Sequence, residues 1–126
     1  MPESSSSRSA IGVLVDRWEA VCTLSDLPPG AVMAARVGHR CVAVAHVVVN
    51  GKDLLFAVGN IDPLSHTLVI ARGSVTEHNG IPIIRSPINQ YAYDLRSGIC
   101  LNDPRLMIPT YQVRGTMGLI EVCTDI

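Results

Sequence analysis

Aromatic side chains are scarce in this sequence: one Trp, one Phe and three Tyr make up 4% of its 126 residues. With 48% of residues hydrophobic a core can still form, but it has to be built from Val, Ile, Leu and Ala. An excess of charge of either sign is also missing. A formal net charge of −1 and a pI near 6.4 leave no electrostatic footprint for nucleic acid or an anionic membrane. No apolar run approaches the roughly 20 residues a membrane span needs. The chain starts Met1-Pro2-Glu3, continues through Ser4 to Ser7, and has Arg8 as its only early basic residue. The apolar run Ile11 to Val15 is too short for a signal-peptide core and no small-residue cleavage site follows it, so a cytoplasmic location is expected. Catalytic signatures are absent too. There is no Ser/His/Asp arrangement around a nucleophile elbow, no glycine-rich phosphate cradle and no carboxylate pair on a shared element.

Four cysteines, Cys22, Cys41, Cys100 and Cys123, are expected to be reduced thiols in such a chain, with Cys22 and Cys41 inert in the core. His39 and Cys41, two residues apart, would share a strand face and are half of a metal site. Neither His46, His66 and His78 nor the other thiols complete it at any recognisable spacing. A turn histidine beside a core cysteine is the better reading. Asp62, Asp94 and Asp103 each sit at a turn, where carboxylates accept bonds from nearby backbone amides.

Residues 1–9 read as a flexible Ser-rich tail and 10–126 as one domain. The domain consists of short β-segments between turn signals, with no sustained helical period. Strands are expected at Trp18–Cys22, Ala31–Val37, Cys41–Val49, Leu54–Val58, Ile81–Arg85, Tyr91–Leu95, Ile99–Leu101, Tyr111–Val113 and Leu119–Val122, and Leu68–Ala71 and the region around Val75 are further apolar segments in the same style. Asn50-Gly51 and Asn79-Gly80 are two-residue hairpin signals; Gly38-His39-Arg40 and Gly115 to Gly118 mark two further hairpins. Pro82 suggests a sheet edge or a strand entry. About nine or ten short strands argue for an all-β antiparallel sandwich or partly open barrel.

Two boxes carry a family signal. Ser86-Pro87-Ile88-Asn89-Gln90-Tyr91-Ala92-Tyr93-Asp94-Leu95-Arg96-Ser97-Gly98 resembles the second ligand box of Rieske [2Fe–2S] domains, Cys-Pro-x-His-Gly-aromatic-x-aromatic-Asp-x-x-x-Gly. Ser86 stands at the cysteine, Asn89 at the histidine and Gln90 at the glycine. Asn60-Ile61-Asp62-Pro63-Leu64 resembles the first box, Cys-Pro-His, with Asp62 at the cysteine and Leu64 at the histidine. Together with Ala71-Arg72-Gly73 and Cys100-Leu101-Asn102-Asp103-Pro104, this combination is similar to the small subunits of NAD(P)H nitrite reductases, over about Trp18 to Val122. The Ser-rich start and the run Ile11 to Val15 depart from that pattern.

A Rieske centre takes two thiolates on one iron and two imidazoles on the other. A serine hydroxyl is far harder to deprotonate than a thiol, an amide oxygen is a poor ligand for this iron, and Leu64 has no donor. The degenerate positions Asp62, Leu64, Ser86 and Asn89 therefore predict a chain with no catalytic residue, no cofactor-binding or metal site, and no activity alone. The resemblance implies a Rieske-like fold and an accessory role beside a large catalytic subunit carrying FAD, siroheme and an iron–sulfur cluster, which reduces nitrite to ammonium. Docking would then involve Asp62, Pro63, Leu64, Ser86, Pro87, Ile88, Asn89 and Gln90. The apolar Leu64 and Ile88 either face a partner or fill the volume a cluster would take. The alternatives are a Rieske-type ferredoxin serving an oxygenase, which the ligand positions oppose, and a stand-alone binding module.

Overall fold

The computed structural model describes residues 17–124; the tail expected over 1–9 and the run 11–15 lie outside the described residues. Nine strands form among the described residues: β1 (Glu19–Thr23), β2 (Val32–Val37), β3 (Arg40–Val49), β4 (Lys52–Gly59), β5 (Ser74–His78), β6 (Ile81–Arg85), β7 (Ala92–Asp94), β8 (Thr110–Thr116) and β9 (Leu119–Cys123). Six make an antiparallel sheet in the order β1-β9-β8-β4-β3-β2, nearly closed because its edges β1 and β2 approach each other. The other three form a small antiparallel sheet, β5-β6-β7. This is the all-β architecture that the turn spacing predicts.

Three two-residue turns set the polarity of the molecule. Asn50-Gly51 (φ 51° and 77°) joins β3 to β4, and Asn79-Gly80 (φ 53° and 82°) joins β5 to β6. Both match the positive φ values a type I′ turn requires. The third turn, Met117-Gly118 (φ 53° and 80°), joins β8 to β9. The sequence places this hairpin across Gly115 to Gly118, but β8 continues through Gly115 to Thr116. All three turns lie at one end, the base. Strands β4 and β6 leave the base and deliver the two boxes to the opposite end, the tip.

Strand β3 is apolar on both faces because both are covered. Ala43, Ala45, Val47 and Val49 pack with Val58, Ile70, Ile84, Tyr93 and Leu95 in one core cluster. Val42 and Val44 pack with Leu27, Val37, Ala57, Ile120 and Val122 in a second. Burial on both sides removes the alternation that a half-exposed strand would show. Few aromatics are needed, since small and β-branched side chains fill the spaces. Pro82 sits inside β6, the middle strand, yet opposite the point where β7 has ended. Its carbonyl accepts from the Leu95 amide at 2.9 Å, and the β6–β7 register begins one residue later, at Ile83. The strand-entry reading is the one observed.

Several expected elements differ. Leu68–Ala71 is no strand: only Leu68 bridges, to Ile61, and Ile70–Arg72 form a 3₁₀ turn. The cause is Asn60, whose carbonyl takes the amides of Val69 and Ile70 and whose Oδ1 takes that of Ala71, so no ladder partner remains. Ile99–Leu101 makes only isolated bridges, Ile99 to Met107 and Cys100 to Tyr93. The Trp18–Cys22 strand is Glu19–Thr23, with an irregularity between Ala20 and Cys22. Cys22 and Cys41, expected in the core, are half-buried, whereas Cys100 and Cys123 are buried.

Gly73 is where the 3₁₀ turn meets the small sheet. A Cβ there would stand 2.0 Å from the Arg85 carbonyl oxygen, on the strand that leads into the second box. Gly73→Ala should therefore cost about 1–3 kcal/mol in urea unfolding, the usual range for overpacking. Gly30→Ala, where φ is +85° but a Cβ would meet nothing within 4 Å, should cost only about 1 kcal/mol. A cost at Gly73 below that at Gly30 would contradict the packing argument.

Candidate functional site

The tip brings three of the four degenerate ligand positions into direct contact. Asp62 and Ser86 are fully buried. The Ser86 hydroxyl donates to Asp62 Oδ2 at 2.5 Å, and Asn89 Nδ2 donates to the same oxygen at 3.1 Å. Asp62 Oδ1 accepts from the backbone amides of Leu64 at 2.8 Å and Ser65 at 3.2 Å. Four donors thus surround one buried carboxylate, two from its own loop and two from the other box. The first two are the Asx-turn bonds that the Asp62-Pro63 sequence suggests. The second two are long-range and join the boxes where a Rieske domain has its cluster.

Each loop is also closed on itself. The Asp62 amide donates to the Thr67 carbonyl at 2.8 Å, and the His66 amide to the Asp62 carbonyl at 2.7 Å. In the second box the Ser86 amide reaches the Tyr91 carbonyl at 2.9 Å, and Asn89 Oδ1 accepts from the Tyr91 amide at 3.0 Å. Gln90 occupies the glycine position of the Rieske pattern and keeps a left-handed backbone, φ 64°. A non-glycine residue there is strained. Its amide is held by the Ser86 carbonyl at 3.0 Å, and its own carbonyl accepts from Arg85 Nη1 at 2.8 Å.

The fourth position, Leu64, turns outward. Leu64 is 47% exposed and Ile88 is 53% exposed, so neither fills the volume between the boxes. Pro63 and Asn89 are half-buried, while Pro87 and Gln90 are exposed. Asn60, in the first box, is a site residue that the ligand positions of the box do not single out. It is buried, donates its amide to the Cys41 carbonyl at 3.0 Å, and anchors the 3₁₀ turn. A buried asparagine that makes only backbone bonds leaves no sequence signal beyond its place in the box.

Burial acts to raise the Asp62 pKa, but the hydrogen bonds from Ser86, Leu64, Ser65 and Asn89 outweigh it and hold the carboxyl below its usual value. Asp94 and Asp103 are also lowered, chiefly by side-chain bonds from Arg96 and Arg105. Each also accepts the backbone amide of its arginine, at 2.9 and 3.1 Å, in the expected turn role. Tyr93 is the outlier. Its ring is fully buried, and its hydroxyl has no hydrogen-bond partner among the described residues. Burial, and then the negative charge of Asp62, push its pKa up.

These residues do not fit a [2Fe–2S] cluster. The one ionised group is spent on four donors, the hydroxyl and amide beside it act as donors to it, and Leu64 points away without a ligand atom. Among the described residues no three His, Cys, Asp or Glu side chains are grouped to hold a metal ion. His39 lies in the exposed β2–β3 turn and Cys41 on β3. His46 is taken up by the Leu27 carbonyl at 2.8 Å and Asp53 at 2.9 Å.

Asp62→Asn should lower unfolding free energy by about 2–4 kcal/mol at pH 7, because buried donors lose a charged acceptor. A carboxyl with a depressed folded-state pKa stabilises fully above its unfolded value, near 4, and that stabilisation is lost as pH falls through the folded value. The gap between the parent and Asp62→Asn in urea titrations should therefore shrink from pH 7 to pH 3; a constant gap would contradict the account. Tyr93→Phe removes an unpaired buried hydroxyl and should leave stability unchanged or raise it by about 1 kcal/mol. A loss larger than that would mean the hydroxyl is bonded.

Comparison with known proteins places this geometry. Residues 17–123 match the profile of the Rieske-like [2Fe-2S] domain. The NADH nitrite reductase small subunit of Salmonella typhimurium is 29% identical over 86% of this chain and 98% of its own length. A crystal structure of a Mycobacterium tuberculosis candidate NADH-dependent nitrite reductase small subunit superposes with a TM-score of 0.82. It is 32% identical and covers 89% of this chain and 98% of its own. A nitrite reductase large subunit of Klebsiella oxytoca is 33% identical over 64% of this chain, a stretch forming 8% of that protein. The ferredoxin of a Nocardioides aromaticivorans carbazole dioxygenase, at 24% identity and a TM-score of 0.68, shares the fold alone. The chain belongs to the Rieske-like [2Fe-2S] domain family and is a homologue of the small subunits of NADH nitrite reductase.

Proposed function

We propose that the chain is the accessory subunit of an NAD(P)H nitrite reductase and works by docking its tip onto the large subunit. The observation that carries this reading is the Klebsiella oxytoca large subunit, which contains a segment 33% identical to this domain. In that protein a segment similar to 64% of this chain is part of the large subunit itself, so a domain of this kind has a place beside such a subunit. FAD, siroheme and an iron–sulfur cluster would belong to the large subunit, where nitrite is reduced to ammonium; this chain would hold no cofactor and be inactive alone. The buried pair Asp62 and Ser86 serves to fix the loops. Pro63, Leu64, Pro87, Ile88, Asn89 and Gln90 form the face offered to the partner. Exposed apolar side chains on loops that are already ordered lose little entropy on binding. The complex would act in the cytoplasm; among the described residues no helix is long and apolar enough to cross a membrane.

The test is co-expression with the large subunit of the same organism. The two chains should co-purify, and adding this chain should raise or sustain nitrite-dependent NAD(P)H oxidation. Leu64→Asp and Ile88→Asp should weaken the complex at least tenfold while leaving the melting temperature of the free chain within a few degrees. Undiminished binding by both variants would rule out docking through the tip.

A further inference from the structure

Apolar exposure alone does not choose an end of this molecule for docking. The tip exposes Ile61, Leu64, Leu68 and Ile88, but the base exposes Leu24, Met117 and Leu119, with Met117 96% exposed. Charge separates the two. Arg17, Arg36, Arg40, Arg72 and Arg85 are all on the tip side. Arg36 faces Cys41, whose carbonyl holds the Asn60 amide, and Arg40 and His39 share a cavity of about 270 Å³ with Asn60 and Ile61. Arg72 follows Ala71, which is bonded to Asn60, and Arg85 precedes Ser86. Arg17 lines a neighbouring cavity with His39 and Arg40. None of the five makes an ion pair among the described residues, and all but Arg85 are exposed.

The carboxylates that would balance them are used elsewhere. Among the described residues, Asp94 is paired to Arg96 and Asp103 to Arg105, which leaves Asp62, buried among neutral donors, and Glu19 on the tip side against the five arginines. The base has the opposite balance: Lys52 against Asp26, Asp53 and Glu77. A net charge of −1 hides this separation completely. Like charges gathered around one end repel, and among the described residues the arginines there outnumber the carboxylates, so the partner face that complements them is acidic.

We propose that the tip is an apolar face ringed by arginines that docks onto an acidic-rimmed apolar face of the nitrite reductase large subunit, with the charge polarity of this chain steering the encounter. This rests on the accessory-subunit reading above. Exposed charges of this kind act mainly on the association rate, and salt screens them over about 8 Å at physiological ionic strength.

Binding of the intact chain to the large subunit of the same organism, followed by interferometry from 50 to 500 mM NaCl, tests it. Arg36→Glu, Arg72→Glu and Lys52→Glu change net charge equally but at opposite ends of the molecule. Each arginine variant should slow association at least fivefold at 50 mM salt, converge on the parent at 500 mM, and leave the melting temperature unaltered. Arg36→Gln and Arg72→Gln should give about half the effect, and Lys52→Glu should stay within twofold of the parent. The proposal is overturned if Lys52→Glu slows association as much as the arginine variants, or if all variants match the parent. Complete absence of binding by the parent would remove the accessory-subunit reading itself, and the proposal with it.

Discussion

One buried carboxylate organises the tip of this molecule. Asp62 is withdrawn from water, which is costly for an ion unless its lone pairs are filled. Two backbone amides and the side chains of Ser86 and Asn89 fill them. The two loops of the tip have no ladder between them at this point, so this polar contact is what fixes one against the other. In a Rieske centre the equivalent residues bind iron. Here a Ser, an Asn and an Asp form a hydrogen-bonded substitute that keeps the loops together and has no redox chemistry.

The rest of the fold delivers the loops to that contact. Type I′ turns at the base start β4 and β6, and both strands run to the tip across a core made of small aliphatic side chains. Asn60 ties the first box to β3 and to the 3₁₀ turn, and that turn approaches the Arg85 carbonyl so closely that only glycine fits at position 73. The shape of the tip is thereby fixed, with Leu64 and Ile88 held outward.

Much of this is legible in the sequence, and the reasons for the misses are physical. Asn-Gly pairs announce positive φ, so the turns at Asn50 and Asn79 read directly. Met117-Gly118 adopts the same turn without the signal, because methionine has no preference for that conformation, and the hairpin is placed too broadly. Leu68 to Ala71 looks like a strand because its residues are apolar, but Asn60, eleven residues before Ala71, captures their amides. The box alignments identify Asp62, Ser86 and Asn89 as vacated ligand positions. That these side chains bond to one another across 24 to 27 residues follows only from the folded chain. The grouping of arginines at one end is likewise invisible in the sequence, because Arg17, Arg36, Arg40, Arg72 and Arg85 are scattered along it.

Loops locked by Asp62 are the surface we propose this chain offers to the large subunit. Amide hydrogen exchange, compared between the free chain and its complex with the large subunit, tests it most directly. The account predicts that the Leu64, Ser65 and Tyr91 amides are already protected in the free chain and that exchange across residues 61–68 and 86–91 slows further in the complex. Rapid exchange of those amides in the free chain, or new protection confined to the Met117-Gly118 end, would contradict it.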